Sequence, residues 1–228
     1  MSACAAPWIV VPAFNEAPVI GEVVRGLRAE YRNVVVIDDC SADGTGAAAK
    51  SAGAAVVRHP INLGQGAALQ TGIRYALARG ADCIVTFDAD GQHSPAAIAA
   101  LLAAIEQPGI DFALGSRFLT GATANLPVSR RILLSAALWF TRASTGLPVT
   151  DTHNGLRAMT ARGARAISLR QNRMAHASEI LHQIARSRLR FVEVPVNIEY
   201  SAYSLGKGQR ITEALTIVID LFARRLYR

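Results

Sequence analysis

The chain predicts an α/β fold, a mainly parallel sheet with helices on both faces. Two observations carry this. Five short apolar runs, at residues 8–11, 34–37, 54–57, 84–87 and 112–114, alternate with helical patterns near 17–30, 43–52, 65–79 and 94–106. Short strands that alternate with helices read as βαβ units, which leave the strands parallel. The polar and glycine-rich segments also stand at the carboxyl ends of the runs, where open α/β sheets bind ligands.

Taken in order, the first run leads into Pro12-Ala13-Phe14-Asn15-Glu16 and the second into Asp38-Asp39-Cys40-Ser41-Ala42-Asp43-Gly44. The third leads into His59-Pro60-Ile61-Asn62-Leu63-Gly64-Gln65-Gly66, and the fourth into Asp88-Ala89-Asp90. Ser94-Pro95 marks a helix start, with serine as N-cap and proline in the first turn. No repeat, low-complexity tract or linker divides residues 1–228, so one domain is expected, with 205–228 as an amphipathic helix.

Composition bounds the function. Hydrophobic residues are 51% and charged ones 18% of 228 residues, which suits a packed core rather than a disordered chain. No apolar run reaches the roughly 18 residues of a membrane span, and no basic leader precedes the first strand. Cys4, Cys40 and Cys83 are widely spaced and odd in number, so neither a zinc site nor a disulfide framework is expected. That fits a reducing cytoplasm. The net charge of +7 favours anionic partners such as nucleotides, lipid phosphates and a membrane surface.

The most informative stretch is Val85-Thr86-Phe87-Asp88-Ala89-Asp90-Gly91-Gln92-His93. On a strand leaving the sheet, residues i and i+2 point the same way, so Asp88 and Asp90 can reach one cation. Hard oxygen ligands suit Mg²⁺ or Mn²⁺, which keep positions open for phosphate oxygens. Gln92 offers a third oxygen. The plainer reading is an Asp-Gly turn that closes a strand.

Asn15 and Glu16 can bond ribose hydroxyls, and Asp39 can accept from a base N–H. Asn15 could equally cap the following helix, and Asp43-Gly44-Thr45 reads as a turn and helix start. Asn62-Leu63-Gly64-Gln65-Gly66 allows close backbone approach to a phosphate or sugar at a helix N-terminus. The chain has no Gly-x-Gly-x-x-Gly after its first strand and no Gly-Lys-Ser/Thr, which disfavours dinucleotide and P-loop enzymes.

Val10–Glu16, Val36–Thr45, Asn62–Ala68, Asp88–His93, Gly115-Ser116-Arg117 and Asp151–Arg157 stand in the order seen in family-2 glycosyltransferases. Over residues 8–210 the chain resembles the branch of dolichol-phosphate mannose synthases and bacterial polyprenyl-phosphate glycosyltransferases. The resemblance implies a GT-A fold, with a Rossmann-like sheet, and a GDP- or UDP-linked sugar donor. It also implies a divalent metal, Mg²⁺ or Mn²⁺, held by Asp88, Asp90 and Gln92. Pro12, Ala13, Glu16 and Asp39 match nucleoside-contacting positions; Asn15, Gly64, Gly66 and the Asp88-Ala89 pair complete the expected nucleotide site. Gln65 departs from the family's frequent Lys, and the basic segment 203–210 differs from the mannose-synthase form.

Transfer from such a donor needs positive charge on the leaving diphosphate, for which Arg117, Arg131 and Lys207 are the candidates, with Asp90 at the metal. A sugar-hydroxyl acceptor also needs a general base. The Glu-Asp pair that many relatives with sugar acceptors carry is absent from the matching stretch, Arg173–Ile180. A phosphate acceptor is already anionic, so its absence favours a polyprenyl phosphate. Glu179 or Asp151 as base keeps a saccharide acceptor open, and a non-catalytic nucleotide-sugar module is the reading from another class. Nucleic acid is not an expected partner. His153 and His176 read as satisfied polar groups. Arginine-edged apolar stripes at 127–144 and 211–226 suit either core packing or peripheral contact with a bilayer. A cytoplasmic location is expected, extending to the inner face of the cell membrane.

Overall fold

Seven strands make one sheet in the order β3-β2-β1-β4-β6-β5-β7. They are β1 (Trp8–Ala13), β2 (Asn33–Asp38), β3 (Ala55–Arg58), β4 (Cys83–Thr86), β5 (Phe112–Ser116), β6 (Arg157–Thr160) and β7 (Phe191–Pro195). The helices are α1 (Ala17–Glu30), α2 (Thr45–Ser51), α3 (Gln65–Leu77), α4 (Ala97–Ile105), α5 (Ala161–Ala166) and α6 (Ala175–Arg186). This computed structural model describes residues 4, 6–119, 138–139, 141–152, 154–171 and 175–198.

The expected mainly parallel sheet is present. Only β6 runs antiparallel, to both of its neighbours β4 and β5, while the other pairings are parallel. The alternation of side chains sorts the central strands onto two cores. Ile9 and Val11 of β1 and Val34 and Val36 of β2 pack with Ile20, Val24 and Leu27 of α1 and Leu101 of α4. Val10, Val35 and Ile37 face the other way, toward Leu69 and Ile73 of α3 and Ile180 and Ile184 of α6. Burial on both faces explains why β1 and β2 read as unbroken apolar runs.

From β1 the chain steps outward through β2 to β3, then returns to lay β4 on the other side of β1. This reversal opens a crevice at the carboxyl ends of β1 and β4, the position where such sheets take ligands.

Two expectations need correction. The helix expected from residue 94 begins at Ala97, with Ala96 as its N-cap. Ser94 and Pro95 instead form a turn whose carbonyls accept from Ala97 and Ile98. Cys4 and Cys83 form a disulfide, with Cα atoms 5.4 Å apart across 79 residues of sequence. Cys83 opens β4, which lies beside β1, so the sheet brings the N-terminal segment to it. Cysteine usage therefore no longer argues for a reducing compartment; Cys40 is the free thiol. The segment 205–228 lies outside the described residues. Among those described, no helix is long and apolar enough to cross a membrane.

Helix α3 sits tight on the sheet at Gly72, where a β-carbon would overlap the Val10 side chain and stand 3.2 Å from Ile37. Gly21 of α1 faces only the flexible end of Arg25, at 3.4 Å. Gly72→Ala should therefore destabilise the fold by about 1–3 kcal/mol through overpacking. Gly21→Ala should stabilise it by about 0.5–1 kcal/mol through helix propensity. Denaturant unfolding of both variants checks the opposite signs, and a Gly72→Ala protein as stable as the parent would contradict the packing.

Candidate active site

The loops after β1 and β2 are stitched into one unit. Asn15 adopts a left-handed backbone, φ 54°, and its N–H donates to Ser41 Oγ at 3.0 Å. Its Oδ1 accepts from Ala42 N–H at 2.9 Å. Glu16 N–H donates to Thr45 Oγ1 at 2.8 Å, and Ala17 N–H to Asp43 Oδ2 at 3.0 Å. The donors at the start of α1 are thus met by the β2–α2 loop. Glu16, not Asn15, stands at the N-cap position, with no side-chain cap bond. Asp43 has the structural part expected of it, since its Oδ1 also accepts from Thr45 N–H at the start of α2.

Asp39, just beyond β2, holds the glycine loop. Its Oδ1 accepts from His59 Nδ1 at 2.7 Å and from Leu63 N–H at 2.9 Å. Its Oδ2 accepts from Gly64 N–H at 2.7 Å, and Asp39 N–H donates to Ala13 O in β1. Gly64 has φ 91°, a backbone that glycine adopts freely. Gly66 has a second reason to be glycine: a β-carbon there would overlap the carbonyl of Gln171 and meet His176 Cβ at 3.0 Å. The small residue seats the first turn of α3 against the segment before α6.

Asp88 and Asp90 do not extend a strand, because β4 ends at Thr86. They lie in the turn beyond it, where Asp90 Oδ1 accepts from Gln92 N–H at 3.0 Å. The Asp88 side chain is 27% exposed, with His93 Nε2 3.6 Å from its Oδ2 and Gln65 Nε2 3.4 Å from its Oδ1. Behind it stands Gly155: a β-carbon at that position would overlap the carboxylate. Thr86 Oγ1 donates to Gly155 O at 2.7 Å and fixes that backbone.

The two carboxyls have opposite electrostatics. Burial pushes Asp88 up, but the hydrogen bond and charge of His93, with the charges of Arg157 and His176, outweigh it and hold the group below the usual carboxylate range. Burial, and then the charge of Asp88, push Asp90 up to about 6, against the opposing Gln92 N–H. Burial first, and a like charge beside it second, make Asp90 easier to protonate than a free carboxyl. Among the described residues no three His, Cys, Asp or Glu side chains cluster as a metal site. Two carboxylates nevertheless fit Mg²⁺ or Mn²⁺, which take one or two from protein and the rest from phosphate and water.

Arg117 and Asp151 meet as a pair. Arg117 Nε and Nη2 donate to Asp151 Oδ2 and Oδ1 at 2.7 and 2.8 Å. Glu193 of β7 supports the loop, accepting from Thr150 N–H at 2.7 Å and Asp151 N–H at 3.2 Å. Glu179 is engaged elsewhere: its carboxylate accepts from the backbone N–H groups of Arg170 and Gln171. His176 is buried. Arg131, Lys207 and His153 lie outside the described residues.

Two residues near the carboxylates were not anticipated. His93 follows Gln92 directly, and its proximity to the aspartates was the available signal. Arg157 opens β6, is only 3% exposed, and donates to Thr152 O at 3.3 Å. Burial lowers its pKa, while the charges of Asp88 and Asp151 act to raise it.

The Arg117–Asp151 pair has side chains 15% and 1% exposed. Removing one partner of a buried pair strands the other charge and costs about 3–5 kcal/mol. Arg117→Met should therefore lower unfolding stability by about that amount, with Arg117→Met/Asp151→Leu recovering much of it. A loss below about 1 kcal/mol would mean the pair is no more than a surface contact.

The glycosyl transferase family 2 model matches residues 8–171. The chain is 31% identical to a UDP-N-acetylglucosamine–dolichyl-phosphate N-acetylglucosaminyltransferase of Methanococcus voltae, over 96% of either protein. It is 33% identical to an undecaprenyl-phosphate mannosyltransferase of Micrococcus luteus, over 82% of this chain and 81% of that one. In fold it is similar to the glucosyl-3-phosphoglycerate synthase of Mycobacterium tuberculosis, solved with Mg²⁺ and UDP. The TM-score there is 0.68 at 21% identity, covering 96% of this chain and 79% of that chain. With a mostly parallel sheet of the GT-A type and a family match across most of its length, the chain belongs to glycosyl transferase family 2 and is a glycosyltransferase.

Proposed function

We propose that this glycosyltransferase moves a sugar from a nucleotide-diphosphate donor to a polyprenyl phosphate at a membrane surface, with the help of a divalent cation. The observation that carries the acceptor is the state of the two candidate bases. Glu179 clamps the backbone at Arg170 and Gln171, and Asp151 is bound by Arg117 in a two-point ion pair. A sugar hydroxyl must lose its proton to a base as it attacks. A phosphate oxygen is already anionic and can attack the anomeric carbon directly. The bond from that carbon to the donor diphosphate then breaks, and the electron pair leaves with the nucleoside diphosphate. Two relatives named for dolichyl-phosphate and undecaprenyl-phosphate substrates support the same acceptor.

In this reading Asp88, Asp90 and Gln92 hold Mg²⁺ or Mn²⁺, as the metal and UDP bound to the fold relative suggest. When bound, the ion neutralises charge that develops on the leaving diphosphate. Gln65 and His93 steady the Asp88 carboxylate from the side. Pro12, Ala13, Asn15, Glu16 and Asp39 line the nucleoside, while Gly64, Gly66 and Ala89 keep backbone close to the nucleotide. Arg117, kept in a fixed orientation by Asp151, acts with Arg131 and Lys207 on the phosphates. Trp139, 69% exposed, and the exposed Leu119 border the 120–137 segment and support a peripheral membrane contact there.

Purified protein, Mn²⁺, a labelled nucleotide sugar and two lipids test this directly. Transfer should occur to a polyprenyl phosphate and not to the matching polyprenol. Asp88→Ala and Asp90→Ala should each slow it by about a hundredfold or more. Glu179→Gln should cost less than about tenfold, since a lost general base would cost roughly 10²–10⁴. Transfer to the free alcohol or to an oligosaccharide, abolished by Glu179→Gln, would replace the proposal with a saccharide acceptor.

A further inference from the structure

We propose that Glu193 is a positioning residue for sugar transfer: through Thr150, Ser116 and Asp151 it holds Arg117 where the leaving diphosphate gathers negative charge. This rests on the reading above that Arg117 acts on the phosphates.

A glutamate on β7 would ordinarily be a solvent-facing charge. Among the described strands β7 is the edge of the sheet, beyond β5, and a charge on an edge discourages pairing with another chain. The contacts of Glu193 point elsewhere. It stands opposite Leu114 in the parallel register, and its carboxylate reaches the loop that precedes β6. Oε1 accepts from Thr150 N–H at 2.7 Å and from Asp151 N–H at 3.2 Å. Oε2 accepts from Thr150 Oγ1 at 2.9 Å. An edge charge needs none of these three donors.

The directions of the bonds follow from the carboxylate. It can only accept, so the Thr150 hydroxyl hydrogen goes to Oε2. Thr150 Oγ1 then accepts in its 2.6 Å contact with Ser116 Oγ, and the Ser116 hydroxyl is the donor. Ser116 Oγ in turn accepts from Phe118 N–H at 3.3 Å. One chain of bonds thus runs from the backbone just past Arg117 to Glu193. A second runs through Asp151, whose backbone N–H is on Oε1. The Asp151 carboxylate takes Arg117 Nε and Nη2 at 2.7 and 2.8 Å and the Arg117 backbone N–H at 3.2 Å. Both paths end on the same carboxylate.

A guanidinium neutralises a leaving phosphate only if it is in place when the bond breaks, and a displacement of about 1 Å can cost about a hundredfold in rate. Bonds to an ionised acceptor are roughly twice as strong as neutral ones. The charge at Glu193, and not only its shape, therefore sets how firmly the loop after β5 and the loop before β6 are held together.

Transfer from a labelled nucleotide sugar to a polyprenyl phosphate, with Mn²⁺ and the full chain, reads the effect. Glu193→Gln keeps the shape, loses the charge and reverses the hydroxyl chain, because its amide nitrogen donates to Thr150 Oγ1. It should lower kcat by about tenfold with the donor KM within about threefold, as for an interaction made in the transition state. Thr150→Val should slow transfer in the same direction, and Thr150→Ser, which keeps the hydroxyl, should restore most of the rate. The deciding comparison uses the Arg117→Met/Asp151→Leu background. There Glu193→Gln should cost less than about twofold, since no arginine is left to place. Should Glu193→Gln fail to fold, Thr150→Val carries the same comparison. An equal loss in both backgrounds makes Glu193 a support of the fold alone and overturns the inference, as does an unchanged kcat in Glu193→Gln. A background protein as fast as the parent removes Arg117 from the phosphates and overturns it too. A parent protein that transfers only to an oligosaccharide overturns the acceptor reading alone, and the same comparison on that acceptor decides this inference.

Discussion

The Asp88 carboxylate rests on a glycine, and the rest of the crevice is arranged around that contact. Gly155 has no side chain because Asp88 occupies the space one would fill. The seat is fixed from both directions. Thr86, the last residue of β4, holds the Gly155 carbonyl, and β6, which starts at Arg157, pairs antiparallel with β4 in the register Thr86↔Arg157. The one reversed strand of the sheet is thus the one that carries the floor under the aspartates. Arg157 lies buried at the same place and supplies positive charge that both Asp88 and Asp151 feel.

Around this floor the loops are preassembled by hydrogen bonds between strands distant in sequence. Asn15 and Ser41, Glu16 and Thr45, and Ala17 and Asp43 join the β1 and β2 loops. Asp39 joins the β2 loop to the start of α3. Polar residues in these motifs therefore serve two ends. They satisfy backbone donors at helix starts, which would otherwise go unmet, and they set the shape offered to a ligand. For the nucleotide site proposed above, most of the geometry is then in place in advance, which lowers the ordering cost of binding.

The first half of the fold was legible because β1, β2 and β4 are buried on both faces and read as plain apolar runs between turn signals. β6 was not: Arg157-Ala158-Met159-Thr160 opens on a buried arginine, and charge in a sequence reads as surface. β7, Phe191–Pro195, carries Glu193, whose carboxylate is spent on the Thr150–Asp151 backbone rather than on solvent. The position of Asp88 and Asp90 beyond a strand was readable, but not their place in a turn, because β4 ends two residues before Asp88. The Cys4–Cys83 disulfide was hidden by 79 residues of separation that the sheet closes. Asp39, Glu179 and Asp151 were picked out by residue type; which atoms they already hold depends on contacts that no spacing rule contains.

The seat under Asp88 can be tested with one substitution. Gly155→Ala places a methyl group where the carboxylate lies, with the three nearest atoms all those of the partly exposed Asp88 carboxyl, so the substitution should displace Asp88. Binding of UDP measured by calorimetry with and without Mn²⁺ reads the consequence. The Mn²⁺-dependent gain in affinity expected of the parent protein should fall by at least about tenfold, the loss of one charge-assisted contact, with thermal unfolding little changed. An undiminished Mn²⁺ effect in a folded Gly155→Ala protein would contradict the role given to Asp88 and to the strand beneath it.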